Sequence, residues 1–126
     1  MQLLVIDDSS LVRERLASLL GSIPGVQGVL LASSGAQALE LLQADMQRAL
    51  RLVVLDIDLP GPNGLHILQR IKALRQDLRV AMFTQYADSQ HRARSLEGGA
   101  DHFFDKSSDL EHLEHTVRQM AAQPAA

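Results

Sequence analysis

Carboxylates stand directly after two apolar segments of this sequence. Asp7 and Asp8 follow the first apolar run, and Asp56 follows the third, with Asp58 two residues further on. Two unit charges about 4 Å apart repel by roughly 4 kcal/mol at an effective dielectric constant near 20. A divalent cation relieves this repulsion, and carboxylates, a backbone carbonyl and water are ligands that suit Mg²⁺ or Mn²⁺. The acidic residues therefore predict a metal site, provided that the fold brings the two segments together.

A threonine and a lysine follow two later apolar segments. Thr84 ends the fourth run, and Lys106 comes shortly after the fifth. With a metal, the lysine charge and the threonine hydroxyl would neutralise and hydrogen-bond the oxygens of a phosphoryl group. Asp56 sits centrally in this set, and its carboxylate could be the nucleophile that forms an acyl phosphate. The other lysine, Lys72, falls within a predicted helix and is expected to need no partner.

Short apolar runs alternate with amphipathic stretches along the chain. This alternation indicates βαβ units, hence an α/β fold with a parallel sheet covered by helices on both faces. Ligands of such sheets bind beyond the carboxyl ends of the strands, which is where the polar residues above stand. The predicted strands are Leu3–Ile6, Val26–Ala32, Leu52–Leu55, Val80–Phe83 and His102–Phe104.

Capping residues indicate where four helices begin. Ser9 or Ser10 can cap the first helix, Ser34 the second, Gly64 opens the third and the last starts near Asp109. Within each helix the apolar residues recur at three- and four-residue spacing. These four helices are therefore expected to pack firmly on the sheet.

The segment Asp88–Glu97 is poorer in apolar residues than the other predicted helices. Only Ala93 and Leu96 are expected to reach the core. Elements with few buried apolar contacts open most readily. We therefore expect this helix to be weakly anchored.

Composition excludes several classes of function. The chain has 126 residues, of which 46% are hydrophobic, enough for one folded domain. Its formal charge of −3 argues against nucleic acid as a direct partner. The absence of cysteine excludes disulfides, thiolate zinc sites and a cysteine nucleophile. The first apolar run is too short for a membrane span and lacks signal-peptide flanks, so a cytoplasmic protein without a membrane partner is expected.

The ordered set of polar residues resembles the receiver domain of bacterial two-component response regulators. The resemblance covers nearly the whole chain and implies a receiver domain over residues 1–121 with a short flexible tail over 122–126. It implies a flavodoxin-like (βα)5 fold, a doubly wound five-stranded parallel sheet with strand order 2-1-3-4-5. The residues that carry it are Asp7–Asp8, Asp56 followed by Pro60 and Gly64, Thr84, Gly99–Ala100 and Lys106.

The resemblance also implies roles for the acidic residues. Asp56 would be the phospho-acceptor. Asp8 and Asp56 would bind Mg²⁺ (or Mn²⁺) directly, Asp7 mainly through water, and Asp58 through its backbone carbonyl. The only catalysis expected of the chain is of its own aspartyl phosphorylation and dephosphorylation.

A switch is implied in the same way. Lys106 would pair with the phosphoryl group, Thr84 would move toward it, and Phe103 would swing inward. Residues 88–97 would then repack and change the face that they form with the fifth strand and last helix. A few charge-assisted hydrogen bonds at roughly 1.5–3 kcal/mol each would supply the about 5.5 kcal/mol needed to move from ~1% to ~99% active.

The resemblance implies protein partners. The phosphoryl donor would be a histidine kinase or histidine phosphotransfer protein, and a downstream protein target would receive the signal. Arg92, Arg94 and Arg118 near the switching face leave a homodimer open. The sequence also leaves open the kinase, the stimulus, and whether the chain stands alone or is the receiver of a longer regulator.

Several residues depart from the usual pattern of the family. Ser107 stands where many relatives carry proline, and Gln85 stands where a small residue is usual. Gln85 could crowd the phosphoryl pocket. Asp58 and Tyr86 also flank the site, at positions that tune autodephosphorylation in the family. The lifetime of the phosphorylated state is therefore open in either direction.

Two alternative functions remain at this stage. The stretch VVLDIDLP also resembles the nucleophile motif of haloacid-dehalogenase-type phosphatases, with Asp56 as nucleophile and Asp58 as general acid/base. That motif normally follows the first strand, whereas two strand–helix units precede it here. The second alternative is a degenerate receiver that binds partners without phosphorylation, which the retained acids and lysine disfavour.

Overall fold

Five strands and five helices alternate along the part of the chain that the structure describes, as the apolar runs predict. The computed structural model describes residues 1–123. The strands are β1 (Gln2–Ile6), β2 (Gly28–Ala32), β3 (Leu50–Leu55), β4 (Arg79–Thr84) and β5 (His102–Asp105). The helices are α1 (Ser10–Gly21), α2 (Gly35–Ala44), α3 (Gly64–Leu74), α4 (Ser89–Glu97) and α5 (Leu110–Ala122).

The strands form one parallel sheet in the order β2-β1-β3-β4-β5, which confirms the predicted topology. In its register, Ile6 at the end of β1 lies opposite Leu55 at the end of β3. The Asp56 amide then donates to the Ile6 carbonyl at 3.0 Å. Asp7 and Asp56 therefore leave the sheet side by side at its carboxyl edge.

Apolar residues are buried on both faces of the sheet. In β1, Leu4 and Ile6 belong to one core cluster, and Leu3 and Val5 belong to the other. Successive side chains of a strand point to opposite faces, so a strand covered on both sides reads as an unbroken apolar run. This is why the runs predicted the strands well, although β2 begins at Gly28 rather than Val26 and β3 begins at Leu50 rather than Leu52.

Side-chain caps begin four of the helices. Ser9 accepts a hydrogen bond from the Val12 amide, and Ser34 accepts one from the Gln37 amide. Asn63 and Asp88 cap α3 and α4 in the same way. These caps satisfy amides that the first helical turn leaves without partners.

The prediction that Ala93 and Leu96 anchor α4 is wrong, because both side chains are exposed. Ser95 is the buried residue of this helix. Its hydroxyl donates to the His91 carbonyl at 2.7 Å, so it is buried without an unsatisfied donor. A search for apolar spacing cannot detect a serine that bonds its own helix.

The prediction that Lys72 needs no partner is also wrong. Its Nζ donates to Asp101 Oδ2 at 3.0 Å and to the Leu78 carbonyl at 2.8 Å. Asp101 Oδ2 also accepts from the Val80 amide at 2.9 Å. Lys72 therefore ties α3 to the segment before β5, a contact between residues far apart in sequence.

The last helix extends one residue into the predicted tail. Helix α5 includes Ala122, the first residue of that tail, and residues 124–126 of the tail lie outside the described residues. Within residues 1–123, each helix falls short of the length and apolar character that a membrane crossing requires.

Candidate functional site

Three carboxylates converge at the carboxyl edge of the sheet. Asp7, Asp8 and Asp56 each offer an oxygen within 4.8 Å of the others. Asp7 and Asp56 are only 2% and 4% exposed, whereas Asp8 is exposed. This donor set of hard oxygens, open to solvent on one side, fits Mg²⁺, which binds few carboxylates and retains several waters.

Asp58 lies at the edge of this cluster rather than within it. Its side chain is exposed, and its backbone amide donates to Asp56 Oδ1 at 3.3 Å. This bond holds the loop after β3 against the Asp56 carboxylate. A role for Asp58 through its backbone is therefore compatible with its position.

Lys106 reaches the same carboxylates from the loop after β5. Its Nζ lies 2.6 Å from Asp7 Oδ2 and 2.8 Å from Asp56 Oδ2, and its side chain is 13% exposed. The backbone guides it there, because the Lys106 amide donates to the Thr84 carbonyl at 3.0 Å. Three carboxylates and one ammonium have a formal charge of −2, which one divalent cation would neutralise.

The pKa values of the buried pair reflect competing effects. Burial raises the pKa of Asp7, against the opposing hydrogen bonds from Lys106 and the Ser9 amide. Burial alone would lower the pKa of Lys106, but its hydrogen bonds to Asp56 and Asp7 outweigh burial and raise that pKa. Lys106 therefore stays positively charged at neutral pH.

Thr84 and Phe103 are buried on the neighbouring strands β4 and β5. Thr84 is fully buried at the end of β4, and its Oγ1 accepts from the Tyr86 amide at 3.1 Å. Phe103 is 8% exposed, and the Arg92 guanidinium carbon lies 5.7 Å from the centre of its ring. Neither Thr84 nor Phe103 lines the cavity at the carboxylates.

A cavity of about 210 Å³ opens above the carboxylates. Gln85 and Tyr86 line it from the loop after β4, so the unusual residue Gln85 does stand at the pocket. The other lining residues are Asp7, Asp8, Ser9, Val12, Asp56, Asp58 and Lys106.

Contacts that the sequence did not reveal support the site. Arg13, one turn into α1, donates to the Asp7 carbonyl at 2.7 Å, and the Ser9 amide donates to Asp7 Oδ1 at 2.9 Å. Gly64 approaches the Asp56 carbonyl so closely that an added Cβ would lie 2.1 Å from that oxygen. Gly64 belongs to the residues that carry the family resemblance, but only this tertiary contact explains why a larger residue does not fit at position 64.

Residues 3–118 match the family described as the response regulator receiver domain. The chain belongs to this family. The receiver domain is 29% identical over 117 residues to the Fimbriae Z protein of Salmonella typhimurium, covering 93% of this chain and 54% of that protein. It is 33% identical over 120 residues to the response regulator MprA of Mycobacterium avium, covering 95% and 50%. The chain thus spans about half the length of the curated relatives that it matches.

Solved receiver structures share the fold. The non-phosphorylated HemR receiver domain from Leptospira biflexa has a TM-score of 0.83 at 26% identity, covering 99% of this chain and 97% of the other. A two-component response regulator of the LuxR family from Aurantimonas sp. has a TM-score of 0.84 at 28% identity, covering 96% and 84%. These matches confirm the predicted family and the flavodoxin-like fold.

Family membership also establishes the general role of the chain. Receiver domains act in the phosphorelay signalling of two-component systems, where they typically bind Mg²⁺ and interact with histidine kinases. The phosphatase alternative loses its basis, because the match covers nearly the whole chain as a receiver. Phosphorylation by a small donor distinguishes a receiver that accepts a phosphoryl group from one that works without phosphorylation.

Proposed function

We propose that this receiver domain accepts a phosphoryl group on Asp56 from a histidine kinase or histidine phosphotransfer protein, and that residues 1–121 form the functional unit. One observation carries the proposal. The Asp56 carboxylate lies beside the Lys106 ammonium, 2.8 Å away, and shares the edge of the sheet with Asp7 and Asp8. Such a set can hold a phosphoryl group and a divalent cation together.

The reaction is an in-line transfer between two nucleophiles. An Asp56 oxygen attacks phosphorus, the bond from phosphorus to the donor's histidine nitrogen breaks, and the electron pair of that bond stays on the nitrogen. Lys106 shifts its contact from the carboxylate toward the transferred oxygens and stabilises their charge. Mg²⁺ would supply the remaining charge neutralisation, and the residues that would hold it are Asp8, Asp56, Asp58 through its carbonyl and Asp7 through water.

The signal then passes to the surface formed by α4, β5 and α5. The Thr84 hydroxyl oxygen accepts from the Tyr86 amide, and its own hydrogen can donate to a phosphoryl oxygen once Thr84 moves toward it. Phe103 moves into the space that Thr84 vacates and leaves Arg92. Helix α4 offers little resistance to this movement, because Ser95 is the only one of its residues that is buried. A downstream protein would recognise the changed surface.

The test is phosphorylation by a small donor. Incubation with acetyl phosphate and Mg²⁺ should add the mass of one phosphoryl group to the intact protein, and Asp56→Asn should abolish the gain. Asp77→Asn is the matched control, because Asp77 is an exposed aspartate outside this cavity. A gain that persists in Asp56→Asn, or no gain in the wild type, contradicts the proposal.

The same preparation tests the switching face. With beryllofluoride and Mg²⁺, hydrogen exchange should change in α4 and β5 as well as at the cavity. Exchange that changes only at residues lining the cavity would contradict the proposed route through Thr84 and Phe103.

A further inference from the structure

A second cavity lies at the opposite rim, where β3 and β4 begin. Its volume is about 300 Å³, and Arg48, Arg51, Arg75 and Arg79 line it. Four guanidinium groups around one cavity stand out in a chain whose net charge is −3. None of these arginines takes part in the site described above.

Two irregular features of the backbone bring arginines to this cavity. Arg48 has φ 54°, a left-handed conformation that is uncommon for any residue other than glycine. Arg51 is the extra residue of a bulge, because Gln2 pairs with Leu50 while Leu3 pairs with Leu52. Bulges redirect side chains, and residues in sparsely populated conformations cluster at ligand sites.

Arg75 is held in place before any ligand arrives. One terminal nitrogen lies 2.9 Å from Asp45 Oδ2, the other donates to the Leu50 carbonyl at 3.1 Å, and the side chain is 10% exposed. Its Nε is buried and has no hydrogen-bond partner among the described residues. Arg75 is therefore fixed mainly through its two terminal nitrogens.

The other arginines have weak contacts or none. Arg48 lies 3.8 Å from Asp77, and both side chains are more than 60% exposed. Within residues 1–123, Arg51 and Arg79 form no side-chain hydrogen bond or ion pair of their own. Counting Asp45 and Asp77 against the four arginines, the rim has a charge of +2.

We propose that this cavity binds an oligophosphate, either free pyrophosphate or the phosphate groups of a nucleotide. The guanidinium fork matches phosphate oxygens in pairs, and several arginines around one cavity suit several phosphates. A volume of about 300 Å³ is at the lower end of ligand pockets and suits a small molecule. The acidic remainder of the chain disfavours a long nucleic acid.

Calorimetric titration tests the proposal on the full chain. Pyrophosphate and adenosine triphosphate are titrated separately, without Mg²⁺ and at matched ionic strength, so that the carboxylate site does not contribute. We expect saturable binding of at least one of them, with amide shifts in residues 48–51 and 75–79. The two arms distinguish a site for phosphate alone from one that also holds the base.

Variants locate the site. The double variant Arg51→Gln/Arg79→Gln should bind about tenfold more weakly or worse, because each lost guanidinium removes charge-assisted hydrogen bonds. Arg70→Gln is the control, since Arg70 is an exposed arginine of α3 outside the cavity. If the double variant does not fold, Arg79→Gln alone changes an exposed side chain and should still weaken binding.

Three outcomes would overturn the inference. The first is that neither probe binds at millimolar concentration. The second is that the arginine variants bind as well as the wild type or no worse than Arg70→Gln. The third is that a single-stranded oligonucleotide binds more tightly than adenosine triphosphate with the same dependence on arginine, which would assign the rim to nucleic acid.

Discussion

At the scale of single residues, the site depends on one ammonium between two buried carboxylates. Lys106 contacts both Asp7 and Asp56, so neither carboxylate is buried without a partner. Removing one member of a buried ion pair leaves an uncompensated charge, which costs more than the pair itself contributes. Lys106 is therefore expected to support the fold as well as the chemistry.

Replacing Lys106 by methionine should test this double role. At neutral pH without Mg²⁺, we expect the free energy of unfolding to fall by about 3–5 kcal/mol, because Asp7 and Asp56 are then buried without a positive partner. Mg²⁺ should restore part of the loss by replacing the positive charge. Urea denaturation with and without Mg²⁺ measures both effects, and an unchanged midpoint in the variant would contradict the expectation.

His102 makes the stability depend on pH. Partial burial lowers its pKa below the usual 6.5, with nearby Arg79 acting in the same direction and Asp101 opposing them. The folded chain therefore binds the proton less readily than the unfolded chain, so the contribution of His102 is complete above pH 6.5 and is lost as the pH falls through the folded-state pKa.

The expected result is a loss of stability in acid that His102→Gln reduces. Denaturation at about pH 7.5 and about pH 5.5 measures the difference, and NMR titration of the imidazole gives the pKa directly. His66→Gln, which changes an exposed histidine, is the matched control. A His102 pKa above that of free histidine would contradict the prediction.

At the scale of elements, the loop between β3 and α3 positions Asp56 because the start of α3 packs closely against the backbone of Asp56 and Ile57. The Gly64 amide donates to the Ile57 carbonyl at 2.8 Å, which brings the start of α3 onto the Asp56 backbone. An added Cβ at Gly64 would lie 2.1 Å from the Asp56 carbonyl and 2.6 Å from Ile57 Cα. Since both neighbours are backbone atoms, they cannot yield as a flexible side chain would.

Gly64→Ala should therefore displace this loop. We expect a destabilisation of about 1–3 kcal/mol together with slower phosphorylation of Asp56. Gly21→Ala is the matched control, because a Cβ there meets only Val29 at 3.7 Å and alanine is the better helix former by up to about 1 kcal/mol. Thermal denaturation and the mass assay measure the two effects, and equal behaviour of the two variants would show that the close contact is unimportant.

At the scale of the whole molecule, charge is separated between the two rims of the sheet. Carboxylates gather where β1 and β3 end, and arginines gather where β3 and β4 begin. The formal charge of −3 conceals this polarity. Cations and anions are therefore expected to bind at opposite ends of the molecule.

Mg²⁺ should stabilise the whole fold through its site. A ligand that binds only the folded state adds about 2.7 kcal/mol at a concentration 100 times its Kd. Thermal unfolding should shift upward with Mg²⁺ but not with sodium chloride at equal ionic strength. Asp8→Asn should reduce the Mg²⁺-dependent shift, and a full shift in that variant would remove Asp8 from the metal site.

The sequence by itself determined the alternation of elements and the residues that end each strand. Apolar runs and capping serines act locally, so they show β1 and β3 and the start of α1 and α2 without knowledge of the fold. Because parallel strands share one carboxyl edge, the convergence of Asp7, Asp8 and Asp56 followed from their positions after strands.

Only the tertiary structure decided the contacts between elements. The double contact of Lys106, the partner of Lys72 and the burial of Ser95 depend on how helices and loops are oriented against the sheet. Two of the four arginines at the rim stand at irregular backbone, Arg48 in a left-handed conformation and Arg51 in a bulge, and neither feature has a periodic signal. Spacing along a chain records which face of an element is apolar, but distances between elements arise when their side chains pack together.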